Sequence, residues 1–441
     1  MPKMKRVKIK KAKSLKGEIA PPPDKSISHR AVMFASLADG KSLVRNFLVA
    51  EDPISTMTAM RMLGVEITEV SRKSKVKSPK SELIINSKGL YGFKEPQDII
   101  NCGNSGTTMR LISGILAGNP FLSVLTGDDS LRQRPMARII KPLKEMGADI
   151  SGRSGDKYPP LVIKGKRLKA MDYTLPVASA QVKSCLILAG LYADGVTGIT
   201  EPHKSRDHTE RMLKSMGAGI EVEGLTVKIH GGTKLTACDV TVPSDFSSAA
   251  FFIAGALMVP DSEVMIKDVG INPTRTGFLE MIKRMGGSFS LDNIRDISGE
   301  PVADIYCRTA PVLKPFKIGR ETIPSIIDEF PILCVLASKA DGTTEIRDAG
   351  ELRVKESDRI KAMASELKKL GVEIEEFPDG VAIKGQANLK GSVVESYGDH
   401  RIAMALSIAA LVAEGTTTIN NASCVDISFP GFFDEMRKLC V

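Results

Sequence analysis

The amino-acid sequence contains a repeat that recurs along most of its 441 residues. Five times a helix-like segment runs into the same ending, a glycine followed by alternating apolar residues; these glycines are Gly64, Gly147, Gly217, Gly286 and Gly371. Glycine just beyond a helix favours the left-handed conformation that ends it, and the alternation that follows is typical of a strand. Each repeat therefore predicts a helix that ends at glycine and leads into a strand.

A second series of helix-like segments alternates with the first and is rich in small apolar residues. It comprises six segments, at residues 24–40, 103–118, 178–195, 244–259, 328–342 and 399–415. These segments are apolar nearly all round, which predicts burial on every side. Six units of roughly 70–80 residues follow, each reading strand, buried helix, strand, amphipathic helix, strand.

The repeat also predicts how the units are grouped. The sixth unit reaches RKLCV (437–441) just where its last strand should begin, and the N-terminal strand VKIKKAK (7–13) would complete it. We therefore predict two lobes of three units each, one formed by residues 1–20 plus 243–441 and the other by residues 21–242. Two chain crossings, near PPPD and VPSD, would form a hinge, and a cleft between such lobes is a usual place for a ligand.

Charge and cysteine content exclude several classes of protein. The net charge is +9, but residues 1–16 hold eight Lys or Arg and no acid, so the remaining 425 residues have 53 cationic and 52 acidic side chains, a net charge of +1. A basic face for nucleic acid is therefore not predicted, and no apolar run is long enough to span a membrane. Seven scattered cysteines without a C-x-x-C motif fit a reduced, cytoplasmic protein without disulfides. No group of His, Cys and carboxylates has metal-ligand spacing, so no metal or cofactor is expected.

Cationic residues recur at the starts of the predicted helices, where the positive end of the helix dipole makes them unfavourable. A single one is most simply a solvated or paired surface charge. Recurrence at matching places in five of the six units instead favours sites for multiply charged anions such as phosphate and carboxylate. The residues concerned are Lys25, Arg30, Arg110, Arg132, Arg134, Lys183, Arg206, Arg275, Lys355, Arg359 and Arg401.

Other residues at these helix starts have a structural interpretation beside the functional one. Ser26 would serve as a helix cap, and GNSGTT (103–108) reads equally well as an Asn/Ser cap or as a glycine-rich cradle for an anion. Asp328 or Glu329 would cap a helix, and Glu356 would be a surface neighbour of a lysine. The residues alone leave these alternatives open. Because no P-loop, dinucleotide fingerprint or nucleophile elbow is present, small phosphorylated substrates are favoured.

Seven stretches resemble the 5-enolpyruvylshikimate-3-phosphate synthase family, in the correct order and across essentially the whole chain. They are DKSISHR (24–30), GNSGTTMR (103–110), LTGDDSLRQRPM (125–136), SAQVKS (179–184), RVKESDRI (353–360), GDHRIAMA (398–405) and SFPGFF (428–433). The resemblance implies an α/β fold, a two-lobed inside-out α/β barrel in which each lobe has three βαβαββ units around buried parallel helices. GDKY, SAQVK, RDHTE and NPTR are similar to markers of the family's second class, which is often glyphosate-tolerant.

The resemblance implies a carboxyvinyltransferase of chorismate and aromatic amino acid biosynthesis. The enolpyruvyl group of phosphoenolpyruvate would pass to the 5-hydroxyl of shikimate 3-phosphate, with release of phosphate. Two phosphates and two carboxylates repel one another in a cleft of low dielectric, so fixed cations are needed to hold them together. The implied partners are these small molecules alone, with neither nucleic acid nor membrane, and the implied state is a monomer.

Residue roles follow from the resemblance, position by position. Phosphoenolpyruvate would be held by Lys25, Arg134, Arg359 and Arg401, with Gln181 and the backbone at Gly106. Shikimate 3-phosphate would be held by Ser26, Arg30, Ser179, Ala180, Gln181, Arg206 and Lys355, and Asn104 is expected to bind substrate too. Asp328 would take the proton of the 5-hydroxyl and Glu356 would protonate the methylene carbon of phosphoenolpyruvate, with Lys25 as a third catalytic residue.

Two positions depart from the family pattern. Ile427 stands where many relatives have lysine, so that phosphate contact would be absent or supplied by another cation such as Lys25. Gly106 is kept where glyphosate-tolerant members often have alanine, and we expect Gly106→Ala to crowd the inhibitor.

Three alternative functions are open at this point. The related transferase for UDP-N-acetylglucosamine carries Lys-Asn where this chain has Lys25-Ser26, and a reactive cysteine in the loop that here reads TGDDSLRQRP. An RNA-terminal phosphate cyclase would need a nucleotide site and a basic face. A non-catalytic anion-binding protein would need neither Asp328 nor Glu356 for its activity.

Overall fold

The computed structural model describes residues 6–70 and 80–441. Contacts within the chain divide it into two compact units. Unit 1 joins the chain up to Pro22 with Pro243–Asp296 and Pro301–Val441, and unit 2 joins Pro23–Val242 with Ile297–Glu300. That residues 1–20 plus 243–441 and residues 21–242 act as separate lobes about a hinge stays a prediction.

The helices fall into two alternating kinds, buried and amphipathic. They are α1 (Lys25–Leu37), α2 (Glu51–Met62), α3 (Gly106–Ala117), α4 (Ala137–Glu145), α5 (Arg153–Asp156), α6 (Ala180–Gly190), α7 (His208–Ser215), α8 (Phe246–Met258), α9 (Gly277–Arg284), α10 (Ile323–Ile326), α11 (Phe330–Ala337), α12 (Arg359–Lys369), α13 (His400–Ala410) and α14 (Phe432–Leu439). Short 3-10 helices occupy Leu131–Gln133, Gly350–Val354 and Ala422–Ile427.

The strands are mostly short. They are β1 (Val7–Lys10), β2 (Lys16–Ile19), β3 (Asp39–Leu48), β4 (Glu66–Val70), β5 (Lys80–Lys88), β6 (Ile100–Asn101), β7 (Leu122–Thr126), β8 (Asp149–Gly152), β9 (Tyr158–Lys164), β10 (Leu168–Lys169), β11 (Asp172–Thr174), β12 (Ala193–Asp194), β13 (Val196–Thr200), β14 (Ile220–Glu223), β15 (Thr226–His230), β16 (Val240–Thr241), β17 (Glu263–Gly270), β18 (Phe289–Ile297), β19 (Glu300–Arg308), β20 (Lys317–Ile318), β21 (Thr343–Ile346), β22 (Ile374–Phe377), β23 (Gly380–Lys384), β24 (Val393–Glu395) and β25 (Thr416–Asn420).

The sheets of unit 2 repeat one pairing pattern three times. Their orders are β16-β3-β5-β4, β6-β7-β9-β8 and β11-β13-β15-β14. In each, the first pair is parallel and the next two pairs are antiparallel. A buried helix connects β6 to β7 and β11 to β13, as a parallel pair requires.

The sheets of unit 1 follow the same pattern, with orders β2-β17-β19-β18, β20-β21-β23-β22 and β24-β25-β1. In the third sheet β1 pairs antiparallel with β25 and takes the third place. Val7 and Ile9 of β1 are buried whereas Lys8 and Lys10 are exposed. The N-terminal lysines of the described chain therefore lie on an edge strand, as their alternation predicts.

The alternation of helix types confirms the predicted α/β class. Helices α1, α3 and α6 in unit 2 and α8, α11 and α13 in unit 1 are buried along nearly their whole length, and each unit has its own apolar core. The five repeat glycines all have positive φ, between 80° at Gly286 and 93° at Gly147, which confirms them as helix ends. Within the described ranges, none of the helices has the length and hydropathy to cross a bilayer.

Candidate active site

Hydrogen bonds through Thr56 of α2 join the beginnings of α1 and α3, two of the buried helices of unit 2. His29 Nδ1 of α1 lies 2.7 Å from the Thr56 hydroxyl, which lies 2.7 Å from the Thr108 hydroxyl of α3.

The interpretation of Ser26 as a helix cap is wrong, because the Asp24 carboxylate caps α1 by accepting from the Ile27 amide at 2.8 Å. The side chain of Ser26 is therefore not needed to begin the helix.

Lys25 and Arg30 project from α1. Lys25 Nζ lies 3.1 Å from Asp52 Oδ2. Arg30 is buried and donates to neutral oxygens: the Thr209 hydroxyl at 2.8 Å, the Ser184 hydroxyl at 2.9 Å and the Ser26 carbonyl at 3.1 Å. Burial lowers the pKa of Arg30 to about 10, although the nearby carboxylates of Glu210 and Asp24 oppose the shift. The fold thus holds a cation at an energetic cost.

Four predicted site residues meet at the start of α3, together with one cation to which the resemblance gave no role. The four are Asn104, Gly106, Arg134 and Gln181, and the cation is Arg110. Arg134 donates to the Asn104 side chain at 2.6 Å and to its carbonyl at 3.2 Å. Arg110 donates to Gln181 Oε1 at 2.7 Å. A Cβ added at Gly106 would lie 2.6 Å from Arg110 Nη1 and 3.5 Å from Arg134 Nη1. Glycine at this position therefore leaves room for two guanidinium groups beside the helix N-terminus.

Ser179, Ala180 and Gln181 begin α6, and the Ser179 hydroxyl accepts from the Val182 amide at 3.4 Å. Gln181 Nε2 also donates to the Thr107 hydroxyl at 3.0 Å, which joins the starts of α6 and α3. Arg206 lies in the loop before α7, near enough to Arg30 that its charge lowers the pKa of Arg30. The predicted residues of unit 2 therefore collect at one set of helix starts.

Lys183 does not fit the expectation of an anion-binding cation. It is buried, and its Nζ lies 2.7 Å from both Glu201 Oε2 and Glu210 Oε1. Burial alone would lower the pKa of Lys183, but the two carboxylates outweigh that and raise it. Lys183 is therefore the centre of a buried ion-pair group that connects α6 to the end of β13 and to α7.

In unit 1, Arg359 gathers three carboxylates. Its Nε lies 2.8 Å from Asp399 Oδ2, its Nη2 2.7 Å from Glu356 Oε2 and its Nη1 3.4 Å from Asp328 Oδ1. Burial opposes the charge of Arg359, yet Asp399, Glu356 and Asp328 together raise its pKa above the usual range. Burial would likewise raise the pKa of Asp399, but Arg359 more than offsets this and leaves it below its ordinary value.

The cap interpretation of Glu329 is wrong, because Glu329 occupies the N-cap position of α11 without a side-chain capping bond. Asp328 Oδ2 lies 3.4 Å from Arg401 Nη2, and its carbonyl accepts from Arg401 Nη1 at 3.2 Å. Glu329 accepts from the Ser247 hydroxyl at 2.5 Å. The interpretation of Glu356 as a surface neighbour is also wrong, since its carboxylate binds buried Arg359.

Two further cationic residues of unit 1, Lys355 and Arg275, have different surroundings. Lys355 is half-buried, and desolvation lowers the pKa of its ammonium, against the opposing charges of Glu351 and Asp328. Arg275 is buried and donates to the Ser247 hydroxyl at 2.7 Å and to Asp245 at 3.1 Å. Lys355 thus belongs with the candidate site residues, whereas Arg275 is bound to the residues that begin α8.

Sequence reasoning missed Asp399, the residue that pairs with Arg359 and also begins α13. Its Oδ1 accepts from the Arg401 amide at 2.9 Å. Asp24 and Asp245 cap buried helices in the same way. An aspartate stands just before each of these helices in the sequence, and this recurrence could have identified Asp399 as a helix cap. Ile427, the departure from the family pattern, packs against the apolar core of unit 1.

Among the described residues, no group of three His, Cys, Asp or Glu side chains could hold a metal ion. The predicted site residues instead form two clusters. The unit 2 cluster comprises Lys25, Ser26, Arg30, Asn104, Gly106, Arg134, Ser179, Ala180, Gln181 and Arg206. The unit 1 cluster comprises Asp328, Lys355, Glu356, Arg359 and Arg401, together with Asp399.

Comparison with known proteins identifies the family. The family model for EPSP synthase (3-phosphoshikimate 1-carboxyvinyltransferase) matches residues 9–436. The chain belongs to the EPSP synthase family. A relative from Thermodesulfovibrio yellowstonii, named 3-phosphoshikimate 1-carboxyvinyltransferase, is 60% identical over 432 residues, which cover 98% of this chain and 99% of the relative. One of the same name from Citrifermentans bemidjiense is 51% identical over 97% of this chain and 98% of its own.

Solved structures agree with the family assignment. The EPSP synthase from Acinetobacter baumannii matches with a TM-score of 0.86 and 43% identity, over 99% of this chain and 98% of its own. The enolpyruvyl transferase NikO from Streptomyces tendae matches with a TM-score of 0.78 over 99% of this chain and 98% of its own, at 17% identity, and is similar in fold alone. The buried helices and three-sheet units described above are thus the fold of EPSP synthases.

Proposed function

We propose that the chain transfers the carboxyvinyl group of phosphoenolpyruvate to the 5-hydroxyl of shikimate 3-phosphate and releases phosphate, in the biosynthesis of chorismate and aromatic amino acids. One observation carries the proposal: 60% identity across 98% of the chain to a 3-phosphoshikimate 1-carboxyvinyltransferase. The loop TGDDSLRQRP, which lacks cysteine, and Ser26 after Lys25 speak against the UDP-N-acetylglucosamine alternative.

The unit 2 cluster is proposed to bind the acceptor, shikimate 3-phosphate. Arg30 suits its phosphate, because a buried guanidinium held by neutral oxygens keeps its charge for a dianion, and Arg206, whose charge acts on Arg30, is proposed to bind beside it. Ser26, Ser179, Ala180 and Gln181 supply further polar groups, and Lys355 of unit 1 supplies another cation. Asn104 would act through Arg134, to which it is hydrogen-bonded.

Phosphoenolpyruvate is proposed to bind Lys25, Arg134, Arg359 and Arg401, with Gln181 and the backbone at Gly106. Because Ile427 packs into the core, we assign the phosphate contact that relatives make at that position to Lys25. Donors aimed at the phosphate and carboxylate would favour the transition state as negative charge develops on the leaving phosphate.

The proton transfers are assigned to Asp328 and Glu356, two of the three carboxylates that Arg359 contacts. Asp328, as the carboxylate, takes the proton of the 5-hydroxyl while the hydroxyl oxygen attacks C2 of phosphoenolpyruvate, and Glu356, in its protonated form, delivers its proton to the methylene carbon. The product of this addition is a tetrahedral ketal phosphate. Glu356, now a carboxylate, takes a proton back from the methyl group as the C–O bond to phosphate breaks, which restores the double bond, and the proton on Asp328 passes to the departing phosphate. Each carboxylate can serve because Arg359 and Arg401 fix its direction.

We further propose that the enzyme is a cytoplasmic monomer that acts on these small molecules alone, and that glyphosate inhibits it at the phosphoenolpyruvate site. Residues 1–16 hold most of the excess positive charge and leave the other 425 residues with a net charge of +1, which supports the absence of a nucleic-acid partner. The space at Gly106, which a Cβ would remove, supports access for an inhibitor.

A phosphate-release assay with shikimate 3-phosphate and phosphoenolpyruvate, with a glyphosate titration, tests the proposal. We expect Asp328→Asn and Glu356→Gln each to lower kcat by about 10²–10⁴. Glu375→Gln, a change at an exposed acid on β22, is the matched control and should leave kcat unchanged. Activity that survives both site changes would refute the assigned roles. Turnover of UDP-N-acetylglucosamine in place of shikimate 3-phosphate would refute the function.

A further inference from the structure

The segment between Arg353 and Asp358 is closed by an ion pair. It connects the 3-10 helix Gly350–Val354 to α12 and carries Lys355 and Glu356. Arg353 Nη1 donates to Asp358 Oδ2 at 2.7 Å. The two ends of a six-residue segment are thus held together by a charge-assisted hydrogen bond, with the candidate proton donor between them.

The remaining nitrogens of Arg353 bind the turn between β22 and β23. Nε donates to the Pro378 carbonyl at 2.7 Å, and Nη2 donates to the Phe377 carbonyl at 2.6 Å and to Glu376 Oε1 at 3.0 Å. A planar guanidinium that uses all three nitrogens has little freedom to move. Arg353 therefore ties the segment to the sheet of its own repeat.

The other end of the segment is fixed as well. Asp358 Oδ1 caps α12 by accepting from the Lys361 amide at 3.0 Å. Ser357 donates to Asp399 Oδ2 at 3.1 Å, and Glu356 Oε2 lies 2.7 Å from Arg359 Nη2. The carboxylate of Glu356 is thus held between an anchored helix start and an anchored arginine.

We propose that Arg353 and Asp358 are positioning residues that hold the Glu356 carboxylate in line with the carbon it protonates. The inference rests on the proposed function, in which Glu356 is the proton donor. Proton transfer to carbon needs close alignment, and a displacement of about 1 Å can lower the rate about 10²-fold. Neither Arg353 nor Asp358 needs to touch a substrate for this role.

Steady-state kinetics of Arg353→Met, Arg353→Lys and Asp358→Asn test the proposal. We expect Arg353→Met to lower kcat about 10²-fold while KM for each substrate changes less than about threefold. Arg353→Lys should recover part of this loss through its charge. Asp358→Asn, which keeps a capping side chain but removes the ion pair, should lower kcat about tenfold.

Combination with Glu356→Gln separates positioning from a general structural effect. If Arg353 acts through Glu356, the double variant Arg353→Met/Glu356→Gln should be no slower than Glu356→Gln alone. Independent, multiplying losses in the double variant would overturn the proposal, as would a wild-type kcat in both Arg353→Met and Asp358→Asn. Should Arg353→Met fail to fold, the same comparison with Asp358→Asn decides the question.

Arg347 offers the matched control, because it binds the same turn from another place. Its guanidinium lies 4.1 Å from the centre of the Phe377 ring, and its Nε lies 3.3 Å from Asp379 Oδ1. Arg347→Met should leave kcat within about twofold of the wild type, and an equal loss in both arginine variants would overturn the proposal. A wild-type enzyme inactive on both substrates would instead refute the proposed function, so the two failures are distinguishable.

Discussion

Arg30 in unit 2 and Arg359 in unit 1 are both buried at the starts of helices, yet their surroundings are opposite. Arg30 donates to two hydroxyls and a carbonyl, and its pKa falls to about 10. Arg359 contacts three carboxylates, and its pKa rises. One arginine is kept charged at a cost to the fold, which a bound dianion would offset, whereas the other stabilises the carboxylates around it.

The sign of each contribution to stability follows from these shifts. Because the pKa of Arg30 is lower in the folded chain than in the unfolded chain, its charge destabilises the fold at neutral pH, and this penalty disappears as pH rises above about 10. Because the pKa of Arg359 is higher in the folded chain, its stabilisation is complete at neutral pH and is lost only above its usual range. The comparison therefore separates Arg30, which is proposed to bind the acceptor phosphate, from Arg359, which stabilises the folded chain.

The largest effect is expected for Arg359→Met. Removing the guanidinium leaves Asp399, which is fully buried, beside Glu356 without its cation, so the free energy of unfolding should fall by about 3–5 kcal/mol. Activity should fall by at least about 10³, since the two proposed proton-transfer groups lose their orientation. Denaturant unfolding and phosphate release measure the two losses. Arg437→Met, at an exposed ion pair on α14, is the control and should cost less than about 1 kcal/mol. Equal stability of the two variants would contradict the contrast drawn here.

A smaller effect, of another kind, is expected for Arg30→Met. The Ser184 and Thr209 hydroxyls already lie 2.6 Å apart and can satisfy each other, and the penalty for the buried charge is removed, so the free energy of unfolding should not fall. KM for shikimate 3-phosphate should rise about 10- to 100-fold through loss of a charge-assisted contact, while KM for phosphoenolpyruvate stays nearly constant. A stability loss as large as that of Arg359→Met, or an unchanged KM for the acceptor, would break the comparison.

The smallest effect concerns pH. Lys355 must be protonated to bind a phosphate, and desolvation lowers its pKa, so kcat/KM for shikimate 3-phosphate should begin to fall below the usual lysine range. Lys355→Arg keeps its charge over the pH range in which the lysine loses its proton, and it should remove this decline. An alkaline decline that persists unchanged in Lys355→Arg would assign it to another group.

The fold was predictable because its signals are local and recur. Five amphipathic helices end at a glycine such as Gly371, within a few residues of the pattern that predicts it, and the mostly apolar run of α8 requires burial. The family stretch RVKESDRI placed Glu356 in the candidate site, and the family resemblance assigned Asp328 to it. Local sequence did not reveal their partners, because the Arg359–Asp399 pair spans 40 residues and forms only when α12 and α13 begin side by side.

Local sequence also failed to reveal the partners of Lys183. Its position at a helix start predicts an anion site, but Glu201 and Glu210 arrive from a strand end and from α7 and take up its charge. Sequence patterns identify which residues carry charge at helix starts. Only tertiary packing decides whether the counter-charge is a substrate or another side chain.

The pairing of β1 with β25, and of β2 with β17, has a consequence for biosynthesis. Strands β1 and β2 are made before all of unit 2, whereas their partners β25 and β17 are made after it, and most of unit 2 can assemble from contiguous chain. The nascent chain therefore carries unpaired strand edges for most of its synthesis, a state that favours chaperone binding and slow final closure.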